Sequence, residues 1–167
     1  IRKLVEKNPS DRNRMGLSTC YIRIGDGLKK KEKIVEALEM YRKSLAACEK
    51  LTHELDTPEA WRELSISYDR VGGILKVQGN FISALKMYRK SLAICEKLSH
   101  ELGTPQSQRD LSISYNRVGD ILKGQGDFIG ALKMYRKSLV IFEKLTHEHC
   151  GNRKILLMRW KCIERAL

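Results

Sequence analysis

Apolar residues return at steps of three and four along most of this chain. In its middle they run Trp61, Leu64, Tyr68, Val71 and Leu75, then resume beyond Gly79-Asn80 as Phe81, Ala84, Leu85, Tyr88, Leu92, Cys95, Leu98 and Leu102. Such spacing lays one buried stripe along each of two α-helices. Thr57-Pro58 offers a capping oxygen followed by a proline at the first helical position, where its missing N–H is no loss, and Thr104-Pro105 repeats the signal. The first helix of each pair therefore starts there. Gly79-Asn80 and Gly126-Asp127 each supply a residue that accepts positive φ and then a side chain that caps the next helix. A helix, a tight turn and a long second helix follow.

The pair repeats. The stretch from Leu64 to Leu98 returns almost letter for letter as Leu111 to Leu145, and Tyr41, Tyr88 and Tyr135 mark a period of 47 residues. A fixed period of roughly 20–50 residues is the signature of a stacked array, whose core is linear and shared only between neighbours. The chain divides into repeats at 10–56, 57–103 and 104–150. Residues 1–9 read as the tail of a preceding repeat of a longer protein, because Leu4 stands one period before Leu51. Residues 151–167 read as a closing helix with Leu156, Leu157, Trp160 and Ile163 on its apolar side. Repeat 1 has Lys31-Glu32-Lys33 where the later copies have Gln-Gly-Asn or Gln-Gly-Asp, so its turn is expected to be less well capped. The fold class is all-α, an α-solenoid of stacked antiparallel helix pairs.

Composition adds the charge. The 167 residues are 42% hydrophobic, enough for a core, and carry a net charge of +12, which favours acidic partners, whether peptide, nucleic acid or lipid headgroup. The five cysteines form no CxxC pair, and Cys48 and Cys95 occupy a repeat position that Phe142 fills in the third copy. They read as reduced core residues of a cytoplasmic protein. No apolar run approaches the roughly 18 residues of a membrane span, and no signal peptide is visible.

The series Tyr68, Val71, Gly72, Leu75, Gly79, Phe81, Ala84, Tyr88 and Ser91 resembles the tetratricopeptide repeat. It recurs as Tyr115, Val118, Gly119, Leu122, Gly126, Phe128, Ala131, Tyr135 and Ser138, and less fully as Tyr21, Ile24, Gly25, Leu28, Ile34, Ala37, Tyr41 and Ser44. The family's unit is about 34 residues and its second helix closes on a proline, whereas Glu96 and Glu143 stand at that place here and the helix runs on. Such long-helix units are similar to those of kinesin light chains and of large bacterial repeat proteins. The resemblance implies a right-handed superhelix, no enzymatic activity, no cofactor, and a protein or peptide partner held in a concave groove lined by the first helix of each pair.

The groove positions carried over include Ile22, Arg23, Asp26 and Lys29 in repeat 1. Repeat 2 supplies Ile66, Asp69, Arg70 and Lys76, and repeat 3 supplies Ile113, Asn116, Arg117, Asp120 and Lys123. Read from spacing alone, these lie at three- and four-residue steps away from the Tyr-Val-Leu stripe. Two ladders result, Arg23/Arg70/Arg117 and Lys29/Lys76/Lys123, suited to carboxylates on an acidic ligand. The same pattern arises from structural ion pairs with Asp26, Asp69 and Asp120. The clamp that some members use on chaperone tails is not expected, since its places hold Ile22, Asp26, Arg70, Ile113 and Arg117 and only the last fits.

Other chemistry is weaker. His53-Glu54, His100-Glu101 and His147-Glu148 make half of an HExxH motif, but Thr57, Thr104 and Gly151 stand where the second histidine belongs, so no metal is expected. Arg42-Lys43, Arg89-Lys90 and Arg136-Lys137, with Lys86 and Lys133, form a basic stripe on the second helices. That stripe is the alternative site, for nucleic acid or an anionic membrane, although no aromatics interleave with it to stack on bases.

Overall fold

Thr57 and Thr104 do what their place before proline predicts. Their side-chain oxygens accept from the backbone N–H of Ala60 and Ser107 at 3.3 and 3.2 Å, opening two first helices. The structure, a computed structural model, describes residues 9–148, with side chains for residues 15–146. Six α-helices follow in order: α1 Pro9–Lys30, α2 Ile34–Leu55, α3 Pro58–Val77, α4 Phe81–Leu102, α5 Pro105–Gly124 and α6 Phe128–Glu148. Each packs against the helix before and the helix after it, and α1 also meets α3. The expected tail at 1–9, apart from Pro9, and the closing helix at 151–167 lie outside the described residues, as do Cys150 and Cys162.

The three intra-repeat turns share one backbone. Asn80 N–H donates to Leu75 O, Asp127 N–H to Leu122 O and Lys33 N–H to Leu28 O, at 2.9, 2.9 and 3.0 Å. Gly79 and Gly126 sit at φ +75° and +83°, and Asn80 and Asp127 then cap through Ser83 N–H and Gly130 N–H. Repeat 1 makes the same turn with Glu32 at φ 59° and no side-chain cap from Lys33. The poorer capping expected from its sequence is present.

Across each helix pair a tyrosine lies on a glycine. A Cβ added at Gly25, Gly72 or Gly119 would stand 2.5, 3.0 or 2.7 Å from the ring of Tyr41, Tyr88 or Tyr135. Beside each contact is an alanine, Ala37, Ala84 or Ala131, that is fully or almost fully buried. A continuous core runs from Ile22 through Tyr41, Ile74 and Tyr88 to Ile121 and Tyr135, each large side chain contributing about 1.5–3 kcal/mol of apolar burial. A lysine at Ala84, which has no exposed area, is expected to destabilise by several kcal/mol by overpacking and burying charge.

Three details of the sequence reading are corrected. Ile22, carried over to the groove, is buried in the core, while Ile24, assigned to the core stripe, is half exposed at 51%. Ile22 belongs to the core cluster that includes residues of α2 and α3, and Asp69 stands at its place one repeat on. Cys48 and Cys95 are buried free thiols, but Cys20 is exposed.

Candidate peptide-binding face

The candidate residues share the face formed by the first helices, where α1, α3 and α5 lie side by side and ion pairs cross between them. Arg70 on α3 reaches Asp26 on α1 at 3.3 Å. Asp26 also accepts from the Tyr41 hydroxyl at 2.6 Å, so one carboxylate ties α1 to both α2 and α3. Arg117 on α5 cannot copy this, because Gly73 stands at the place equivalent to Asp26; it pairs with Asp69 instead. Lys76 and Asp120 approach to 3.7 Å, and Asp120 accepts from the Tyr135 hydroxyl at 2.9 Å. Burial pulls the Arg117 guanidinium below its ordinary value, while the Asp120 charge opposes that shift.

The arginine ladder is therefore two cross-repeat ion pairs with outward-facing remainders. Arg70 and Arg117 keep 43% and 38% of their side chains exposed, and a guanidinium has five N–H donors, so each has donors to spare beyond its aspartate. Arg23, Lys29 and Lys123 are exposed on the same face, and Asn116 is half-buried within it. Ile66 is half-buried against the core, whereas Ile113 is 42% exposed.

Between α3 and α5, floored by Cys95 of α4, is a cavity of about 190 Å³ that brings Ile66, Asp69, Arg70, Ile113 and Arg117 together. Asp69 Oδ1 is buried there without a hydrogen-bond partner among the described residues. A second hollow of about 210 Å³ adjoins it, sharing Ser65, Cys95 and Asp110 and ending at Leu98 and Leu102. Arg62 and Asp110, 2.7 Å apart, line it. Sequence reasoning missed Arg62, Asp110, Ser65 and Ser114; a signal was available, since Ser65 and Ser67 return as Ser112 and Ser114 one period later.

Among the described residues no group of three His, Cys, Asp or Glu side chains could hold a metal ion, and no helix is long and apolar enough to cross a membrane. In the basic stripe of the second helices, Lys43 pairs with Glu39 at 2.7 Å, and Lys90 and Lys137 lie over the rings of Tyr68 and Tyr115 at 5.0 and 5.1 Å.

A family model described as tetratricopeptide repeat matches residues 66–99 and 112–146. No curated protein matches the chain. Among solved structures, the N-terminal domain of stress-induced protein-1 (STI-1) from C. elegans aligns with a TM-score of 0.57 at 12% identity, covering 93% of this chain and 98% of that one. BtubC (BKLC) from P. vanneervenii aligns at 0.46 and 14% identity over 95% and 73% of the two chains, and a DHF79 filament at 0.49 and 14% over 94% and 85%. The first of these likenesses shows the fold.

Proposed function

Because the chain belongs to the tetratricopeptide-repeat family, whose members are protein-interaction scaffolds, we propose that it holds an acidic peptide segment in a groove along α1, α3 and α5. The observation that carries this reading is the cavity between α3 and α5, where two apolar side chains, two arginines and an unpartnered carboxylate oxygen meet. An apolar ligand residue fills the space beside Ile66 and Ile113. Ligand carboxylates meet the spare N–H groups of Arg70 and Arg117, and a ligand amide N–H donates to Asp69 Oδ1. Arg23, Lys29, Lys76 and Lys123 extend the positive field along the face, outnumbering Asp26, Asp69 and Asp120 together with their arginines. The role is binding and not catalysis, and the buried free thiols of Cys48 and Cys95 suit the reducing cytoplasm.

A random peptide library displayed on phage tests this. Selected peptides are expected to be rich in Asp and Glu around an apolar residue; a basic consensus would rule out the acidic ligand. Arg70→Gln with Ile113→Asp changes two well-exposed side chains, so the helical circular-dichroism signal should stay while affinity for the selected peptides falls at least tenfold, about 1.4 kcal/mol or more. Arg42→Gln with Ala46→Asp makes the same change on the opposite face and should leave binding intact. The reverse pattern would move the ligand to the second helices.

A further inference from the structure

The edge of the solenoid that carries the intra-repeat turns has a second character. At the start of α4, Ile82 is 80% exposed; at the start of α6, Phe128 and Ile129 are 66% and 85% exposed. Among the described residues these are the least covered large apolar side chains of repeats 2 and 3, and all three sit at the same end of the stack. Lys86 and Lys133 follow Ile82 and Ile129 by four residues, on the same helix faces and about 6 Å deeper into the protein. The antiparallel first helices bring Lys76 and Lys123 to this end in their last turns.

We propose that this edge docks on an anionic lipid bilayer, the apolar tips entering the acyl boundary and the lysines resting at headgroup phosphates. The layering is what favours a bilayer. An interfacial element buries its apolar side about 5–10 Å deep with cations just above, and protruding tips backed by lysines one turn away reproduce that order. A nucleic-acid backbone offers nothing for three exposed apolar tips to enter, and a second copy of this chain would bring like charge against like. Repeat 1 does not extend the edge: Val35 is exposed, but Glu36 and Glu39 replace the residues equivalent to Ser83 and Lys86, and Glu32 occupies the turn. In repeat 3, Asp127 directly precedes Phe128 and accepts from Gly130 N–H, and Asp120 pairs with Lys76, which keeps 42% of its side chain exposed.

Co-sedimentation of the whole chain with phosphatidylcholine vesicles, with and without phosphatidylserine, tests the assignment. Binding is expected only with phosphatidylserine at physiological salt. Ile82→Ser, Phe128→Ser and Ile129→Ser together should abolish it, and Lys86→Gln with Lys133→Gln should lower partitioning about fivefold for each lysine. All five positions are exposed, so the helical signal should not change. Arg70→Gln in the peptide-binding face should leave vesicle binding intact. Full binding by the serine variant, or no binding to either vesicle, would overturn the proposal. So would these variants losing affinity for duplex DNA or an acidic helical peptide while vesicle binding stays unchanged.

Discussion

The joint between repeats 1 and 2 and the joint between repeats 2 and 3 use the same ladder of arginines and are wired differently. Three ion pairs cross the second joint between its first helices: Arg62–Asp110, Arg117–Asp69 and Lys76–Asp120. Across the first joint, among the described residues, only Arg70–Asp26 does so. The substitutions explain this one by one. Met15 stands for Arg62, Ile22 for Asp69 and Gly73 for Asp120, so each of the other pairings loses a member. Glu63, left without the pairing its counterpart Asp110 enjoys, is partly buried, and burial pushes its carboxyl above the ordinary range. A periodic sequence therefore does not make equivalent joints; the residues between the ladder positions decide.

The most direct way to break the comparison is to remove the two arginines separately. Arg117→Ala leaves Asp69, only 10% exposed, without its cation, and is expected to destabilise by about 2–3 kcal/mol in urea unfolding. Arg70→Ala leaves Asp26, which is 35% exposed and still accepts from Tyr41, so the loss should stay below about 1 kcal/mol. Equal losses would mean that the joints are equivalent after all.

A second contrast lies under the tyrosines. Asp26 and Asp120 draw Tyr41 and Tyr135 down onto Gly25 and Gly119, while Tyr88 faces Gly73 and lies less tightly on Gly72. Alanine gains about 1 kcal/mol of helix propensity over glycine, so the steric term decides the sign. Gly119→Ala, with a 2.7 Å approach to the ring, should lose about 1–2 kcal/mol, and Gly72→Ala, at 3.0 Å, should be near neutral. Thermal melts of the two variants measure the difference.

Much of this architecture was legible in advance because it rests on local signals. Proline after threonine, glycine before a capping side chain, and stripes at three- and four-residue steps each act within one or two turns, and the helices begin and end where those signals put them. The candidate face was legible as a set of positions but not as a set of partners. Whether Arg117 meets Asp69 or the place of Asp26 depends on the stagger between stacked helices, which no residue spacing within one helix encodes. The burial of Ile22 likewise depends on the α2 and α3 residues that pack around it, which its own helix does not encode. Arg62 and Asp110 escaped notice because their pairing exists only across a joint.

The turns give a smaller contrast. Glu32 adopts the left-handed conformation that Gly79 and Gly126 adopt in the other repeats, and Lys33 provides no cap. Glu32→Gly should raise stability by about 1 kcal/mol by relieving a side chain from that region, and Lys33→Asn should add up to about 1 kcal/mol through a cap like that of Asn80. The reverse change, Gly79→Glu, should have the opposite sign. A Glu32→Gly variant that melts no higher than the parent would show that the strain is relieved elsewhere.

The last contrast concerns alkaline pH, and it separates Tyr88 from the tyrosines with carboxylate partners. Burial, with the Asp120 charge second, pushes the Tyr88 hydroxyl up from 10.0 to about 12. Below pH about 10 both folded and unfolded chains hold this proton, so it has no influence on stability. Above that pH the unfolded chain releases the proton while the folded chain keeps it, and stability falls by up to about 1.4 kcal/mol per pH unit until the folded hydroxyl also ionises. Tyr88→Phe removes this contribution and, with Gly73 rather than an aspartate in its own repeat, disturbs no carboxylate pairing like that of Tyr41 with Asp26. The variant should match the parent near pH 8 and become relatively more stable toward pH 11 by up to about 1.4 kcal/mol. Tyr41→Phe shares the alkaline gain, since burial and the Asp26 hydrogen bond also raise its hydroxyl, but it should already be weaker near pH 8 through the lost bond to Asp26. Urea unfolding of the three proteins across that pH range reads both effects, and parallel curves for Tyr88→Phe and the parent would show that Tyr88 ionises no later in the folded chain than in the unfolded one.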